Sequence, residues 1–386
     1  MRISKYLVSA SALAMLAGCS SLPSLSSLNP FADKPKDVPA KLVELQGSMA
    51  VRTAWKLDIG RANNNLFTPA VVGNTLVLAG GEGALARVDA GSGQVLWRIQ
   101  AGKPLTAGVG TDGSMIVVGG AKGAVLAFDM DGKELWQWQA SSEVLSSPVV
   151  AQGVVVVRSV DNRIVGLDAK TGQQKWTVQR PSPPLSLRLA PGMAVAGDDV
   201  IVAQPGGKML RMALATGAPK YEISVGDPRG ATELERMIDM GGAPVLSNGD
   251  VCAVAYQGRI GCFEAGTATV RWTKEFSSDV GVAVDQRFVF AVDDKGAVHA
   301  FNRENGASAW KNDKLAFRHP STPVSYGRAA AVGDYEGYVH FMSREDGTFL
   351  ARAAIDGSAI GGTPVVAGDK LIFQTQAGTV AAIAVE

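Results

Sequence analysis

One short pattern recurs along this chain and sets what it can fold into. A tight turn leads into an alternating apolar strand that ends in an acid. A second turn containing glycine follows, and the pattern closes on a large aromatic residue. Its clearest copy runs from Asp161-Asn162 through Asp168, Thr171 and Gly172 to Trp176. In such a turn the Asp side chain caps the backbone and Gly supplies a positive φ. Other copies run Gly83…Asp89…Gly93…Trp97, Gly123…Asp129…Gly132…Trp136 and Gly296…Asn302…Gly306…Trp310. Taking the turn before the third strand as anchor gives Gly83, Gly123, Asn162, Gly207, Gly258, Gly296, Gly337 and Gly378. The spacing is roughly 40 residues, the length of a four-stranded propeller blade. The expectation is an all-β, eight-bladed β-propeller.

The aromatic anchor keeps the same register. Trp97, Trp136, Trp176, Trp272 and Trp310 follow their turns, Tyr221 stands in the fourth copy, and the seventh carries Ala351. One buried indole removes about 150–250 Å² from water, so these rings are expected to fill the gaps between blades. The eighth copy stops at Glu386 before any fourth strand. Its missing strand is found at the other end, where residues 54–60 around Trp55 match residues 96–102 around Trp97. The N-terminal strand is therefore expected to complete the last blade and close the ring, leaving no free seam.

Residues 1–18 read as a signal peptide, with Arg2 and Lys5 ahead of an apolar run too short to span a membrane. The run ends in Leu16-Ala17-Gly18-Cys19, which resembles the bacterial lipobox. That resemblance implies lipidation of Cys19, and several acyl chains make a stable anchor. Ser20 stands where an inner-membrane retention signal would have Asp, which implies the periplasmic face of the outer membrane. Residues 19–48, rich in Ser, Pro and charge, are expected to form a flexible tether, and residues 49–386 the propeller. The net charge of +1 calls for no nucleic-acid partner.

Chemistry-bearing residues are sparse. The three histidines are His299, His319 and His340, and His299 and His340 share one repeat position, which points to packing. No His, Cys and Asp cluster has metal-ligand spacing, so neither a metal nor a cofactor is expected. Gly80, Gly81 and Gly83 lie between strands as a hairpin turn and precede no helix. Cys252 and Cys262 flank the Gln257-Gly258 hairpin. A cross-strand disulfide and two buried free thiols both fit, because a one-residue change of register moves a side chain to the other face.

Two connections break the repeat. After Trp176, Pro181, Pro183 and Pro184 stiffen a segment from which Leu185, Leu187 and Arg188 project. After Tyr221, Thr232 and Glu235 make a capping-box pattern, and Leu234, Met237 and Ile238 share one helical face, so a short helix is expected there.

The repeat itself resembles that of the pyrroloquinoline-quinone (PQQ) dehydrogenases, but the vicinal cysteine pair of those enzymes is missing, so the resemblance implies fold and no cofactor. The whole chain resembles more specifically the propeller lipoprotein family of the outer-membrane β-barrel assembly (BAM) machinery. The lipobox, the tether, eight repeats with N-terminal closure and the two off-period connections carry that resemblance. It implies a non-enzymatic scaffold that binds the periplasmic POTRA domains of BamA and contacts nascent outer-membrane proteins. By position, the implied partner-binding residues are Leu185, Leu187, Arg188 and Asp239. The family pattern has a second acid two residues further on, where this chain has Gly241. The alternative on the same fold is a periplasmic quinoprotein-like enzyme or a ligand-binding propeller.

Overall fold

The computed structural model describes residues 37–45 and 47–385. The leader, Cys19 and the tether up to residue 36 lie outside them. The described chain folds into eight four-stranded antiparallel sheets, the expected blades. Blade three is representative: Val149–Ala151 lies innermost, Val154–Arg158 and Arg163–Asp168 form the middle, and Gln174–Gln179 is outermost. All five residues of Val154–Arg158 are buried, while the outer strand alternates. Runs of β-branched residues suit a middle strand packed on both faces by neighbouring blades.

The aromatic anchor works across the blade interface. Trp136 Nε1 donates to Ala169 O at 2.8 Å and Trp176 Nε1 to Leu214 O at 2.8 Å, each in the following blade. The same bond joins Trp97 to Met130 O, Trp272 to Arg303 O and Trp310 to Arg344 O. Tyr221 makes it to Ala265 O through its hydroxyl. Each indole lies on the glycine of the next blade's turn. A Cβ added to Gly172 would stand 2.7 Å from Trp136 Cδ2, so this turn needs glycine for contact as well as for its φ of 70°. In blade seven the anchor is Ala351, and Met49 from the N-terminal segment joins the core beside it.

Ring closure is as expected. Val51–Asp58 is the outer strand of blade eight and pairs antiparallel with Thr379–Val385. Trp55 is buried and donates to Ala90 O of blade one at 3.0 Å. The segment before it differs from the expected free tether. The compact body begins at Pro39. Ala40 N donates to Ala316 O at 2.8 Å, Arg318 Nη1 to Ala40 O at 3.0 Å, Arg352 Nη2 to Val43 O at 3.2 Å and Arg328 Nη2 to Ser48 O at 2.5 Å. Three arginines, one from the connection into blade seven and two from that blade, thus capture backbone carbonyls that polar composition alone left unassigned.

The register of blade five settles the cysteines. Cys252 faces Cys262 directly, both are fully buried, and they are disulfide-bonded. His299 and His340 play the equivalent structural part expected of them. Each Nε2 lies 2.9 Å from an aspartate Oδ2 of its own blade, Asp293 and Asp334 respectively.

Candidate functional site: the off-period loops over blades three to five

The proline-rich connection between blades three and four is anchored at both ends. Asn162, held in a left-handed turn with φ 60°, donates through Nδ2 to Pro181 O at 2.9 Å. Arg180 pairs with Glu222 on the outer strand of blade four. At the far end Ser146 Oγ donates to Pro191 O at 2.7 Å, and Gly192 N to Gly242 O at 3.0 Å. Between these ends the loop shows its side chains to solvent. Leu185 is 45% exposed, Leu187 is half-buried, and the Arg188 side chain is 64% exposed. Arg188 pairs with Glu143 from the connection between blades two and three.

Asp239 takes a different place from the other three residues. It opens the inner strand of blade five, Asp239–Ser247, and is only 2% exposed. Its carboxylate accepts the backbone N–H of Leu187 and, at 3.3 Å, that of Gly206. Asp239 therefore holds the loop from beneath and presents no carboxylate at the surface. Burial pushes its carboxyl up to about 6, against the pull of those two N–H groups and of Arg158.

The second connection corrects the expected helix. The capping box forms: Glu235 N donates to Thr232 Oγ1 at 3.2 Å and Thr232 N to Glu235 Oε2 at 3.0 Å. Only a single turn follows, because Ile238 is already drawn into the core and Asp239 is already bridged to Pro205. A segment this short cannot repay helix nucleation. Leu234, left on the outside of the turn, is 65% exposed. Two residues beyond Asp239, Gly241 has no room for a second acid: an added Cβ would stand 2.6 Å from Val280 O.

Arg158 is a functional candidate that the motif reading missed. It is 5% exposed at the end of a middle strand and shares a cavity of about 20 Å³ with Asp239 and loop residues Ser186 to Leu189. The signal was legible as a charged residue closing the otherwise all-valine strand Val154–Arg158.

The ring axis holds a larger cavity of about 370 Å³, lined mainly by aliphatic residues and glycines. Asp279 is its one charged wall residue, and it offers no imidazole or thiol. Among the described residues no three His, Cys, Asp or Glu side chains gather to hold a metal ion. A quinone with calcium, as the quinoprotein fold would suggest, finds no matching donor set in this lining.

Comparison with known proteins agrees with the architecture. The family described as outer membrane protein assembly factor BamB matches residues 81–312. The BamB of Burkholderia pseudomallei is 41% identical over 372 residues, 96% of this chain and 95% of that protein. The BamB of Bordetella pertussis is 42% identical over 369 residues, 95% and 93% of the two chains. The crystal structure of BamB from Moraxella catarrhalis superposes with a TM-score of 0.80 at 25% identity, covering 87% of this chain and 100% of that one. This chain belongs to the BamB family of outer membrane protein assembly factors.

Proposed function

We propose that this protein is a non-enzymatic scaffold of the outer-membrane β-barrel assembly machinery. It is anchored through lipidated Cys19 to the periplasmic face of the outer membrane and docks on the POTRA domains of BamA. The observation that carries the reading is the loop over blades three to five. It presents an apolar anchor, Leu185, beside an exposed guanidinium, Arg188, on a backbone held at both ends and from below. No strand ladder depends on these side chains, which leaves them available to a partner. Arginine with adjacent apolar anchors is common hot-spot chemistry at interfaces.

Co-purification tests it. Arg188→Glu, or Leu185→Ala together with Leu187→Ala, should abolish recovery of BamA from detergent-solubilised outer membranes while leaving the melting temperature nearly unchanged. Charge reversal should be the harsher change, because the new carboxylate would stand beside Glu143 and present the wrong charge to the partner. Intact BamA recovery with Arg188→Glu would move the docking face elsewhere on the ring.

A further inference from the structure

We infer that Arg158 is a positioning residue for the docking loop: it keeps Asp239 ionised, and so keeps the carboxylate clamped on the loop backbone at Leu187. The inference rests on the docking role given above to that loop.

The repeat shows that Arg158 is out of pattern. In every blade one residue at or near the end of the second strand pairs with the residue six positions later on the third. At that position stand Ala79, Gly119, Arg158, Ala203, Val254, Val292, Gly333 and Gln374. Seven blades place a small, apolar or amide side chain there, and blade three alone buries a charge. Buried charge is costly unless it has a counter-charge. Arg158 finds only a side-chain hydroxyl, Ser146 Oγ at 3.3 Å, and its Nε–H has no acceptor in the protein. Its counter-charge is Asp239, across the cavity of about 20 Å³. Burial lowers the Arg158 guanidinium to about 10, still far above neutrality, so its charge is constant over the working range.

Ionisation matters because of what Asp239 holds. Both of its bonds come from backbone N–H groups, Leu187 of the loop and Gly206 of blade four. A carboxylate accepts both. Protonation removes the charge and makes one of the two oxygens a hydroxyl, a much poorer acceptor, so one of the two backbone N–H bonds is weakened. Proton uptake therefore releases the loop or its footing. The charged groups around the cavity are Arg158, Asp239 and Arg188, and Arg188 is engaged by Glu143. With the Asp239 carboxyl near 6, the clamp is largely closed at pH 7 and half open near pH 6. Removing the Arg158 charge should raise the carboxyl by about one further unit. If only the clamped loop binds, apparent affinity falls with the clamped fraction. The expected loss for Arg158→Gln is then about two-fold at pH 7 and about five-fold at pH 6.

The test follows the amide ¹⁵N–¹H shifts of Leu187 and Gly206 in the deuterated mature chain from pH 8 to pH 5, alongside binding to detergent-solubilised BamA. In the unaltered protein both amides should titrate together near pH 6. Arg158→Gln should move that midpoint up and binding with it, Arg158→Lys should restore both, and Asp239→Asn should abolish the titration and flatten the pH profile of binding. A midpoint unmoved in Arg158→Gln, with Arg158→Lys folded and equally unmoved, overturns the inference whatever the loop binds. A midpoint that moves while binding holds in Arg158→Gln but is lost in Arg188→Glu overturns the positioning role and spares the docking reading. Binding that survives in both variants sinks the docking reading and leaves the clamp a device of the loop alone.

Discussion

Replacing Trp55 with alanine tests whether the N-terminal strand is structural closure or ornament. The indole is 9% exposed, donates to Ala90 O at 3.0 Å, and lies against Gly93, whose added Cβ would come within 2.6 Å of Trp55 Cδ2. It therefore joins blade eight to blade one through the same kind of contact as the other Trp seams. Burying 150–250 Å² at about 25 cal/mol/Å² contributes about 4–6 kcal/mol, and truncating a core Trp typically costs about 3–5 kcal/mol. We take about 4 kcal/mol. At about 2.1 cal/mol/K per residue, unfolding a body of this size has an entropy of roughly 0.7 kcal/mol/K, so the melting temperature should fall by about 6 °C. Deleting residues 49–60 goes further. It removes Trp55, takes Met49 from the core beside Ala351, and strips the partner from Thr379–Val385. An open edge of that kind invites pairing with a second chain. Calorimetry of the two variants, with native mass spectrometry for association, decides the matter. A deletion variant that melts within a degree of the unaltered chain as a monomer would refute the closure argument. Trp97→Ala is the internal comparison: its ring is half-buried, and the loss should be smaller.

Other outcomes are equally checkable. Cys19→Ala should leave a folded propeller that no longer sediments with outer membranes lacking BamA, because anchoring is assigned to acyl chains; continued sedimentation would locate the anchor elsewhere. Alkylation of the unfolded Cys19→Ala chain without reductant should find no free thiol, given the pairing of Cys252 with Cys262. Replacing both cysteines by alanine should cost about 2–3 kcal/mol, the value for closing so short a loop, and an unchanged denaturation midpoint would count against that pairing.

Some of this molecule was legible because its repeat is covalent information. Asp168, Gly172 and Trp176 recur in order, and each does its work within one turn or against the next blade, so spacing alone predicted both the blade count and the seams. Closure by the strand around Trp55 was legible for the same reason: the last repeat lacked what the first residues supplied. Leu185 and Arg188 stood out because they interrupt the period.

Other features required the folded chain. The capping box at Thr232 and Glu235 is real, yet the helix it announces is cut off by Ile238 and Asp239, which are claimed by distant packing. Residues 39–45 and 47–48 read as tether because arginines at 318, 328 and 352 could not be assigned to them from composition. The disulfide waited on the register of two strands. Asp239 looked like a surface acid, and its burial under a loop some fifty residues away decides that it acts by holding Leu187. Arg158 is the sharpest case. An arginine ending a valine strand marks a position in the sequence, but only the neighbours that close over it show that its charge is buried. Local pattern determined which strands and blades form, because those contacts are near in sequence. The electrostatics beneath the proline-rich loop were decided only in three dimensions, where two charges from different blades are desolvated together.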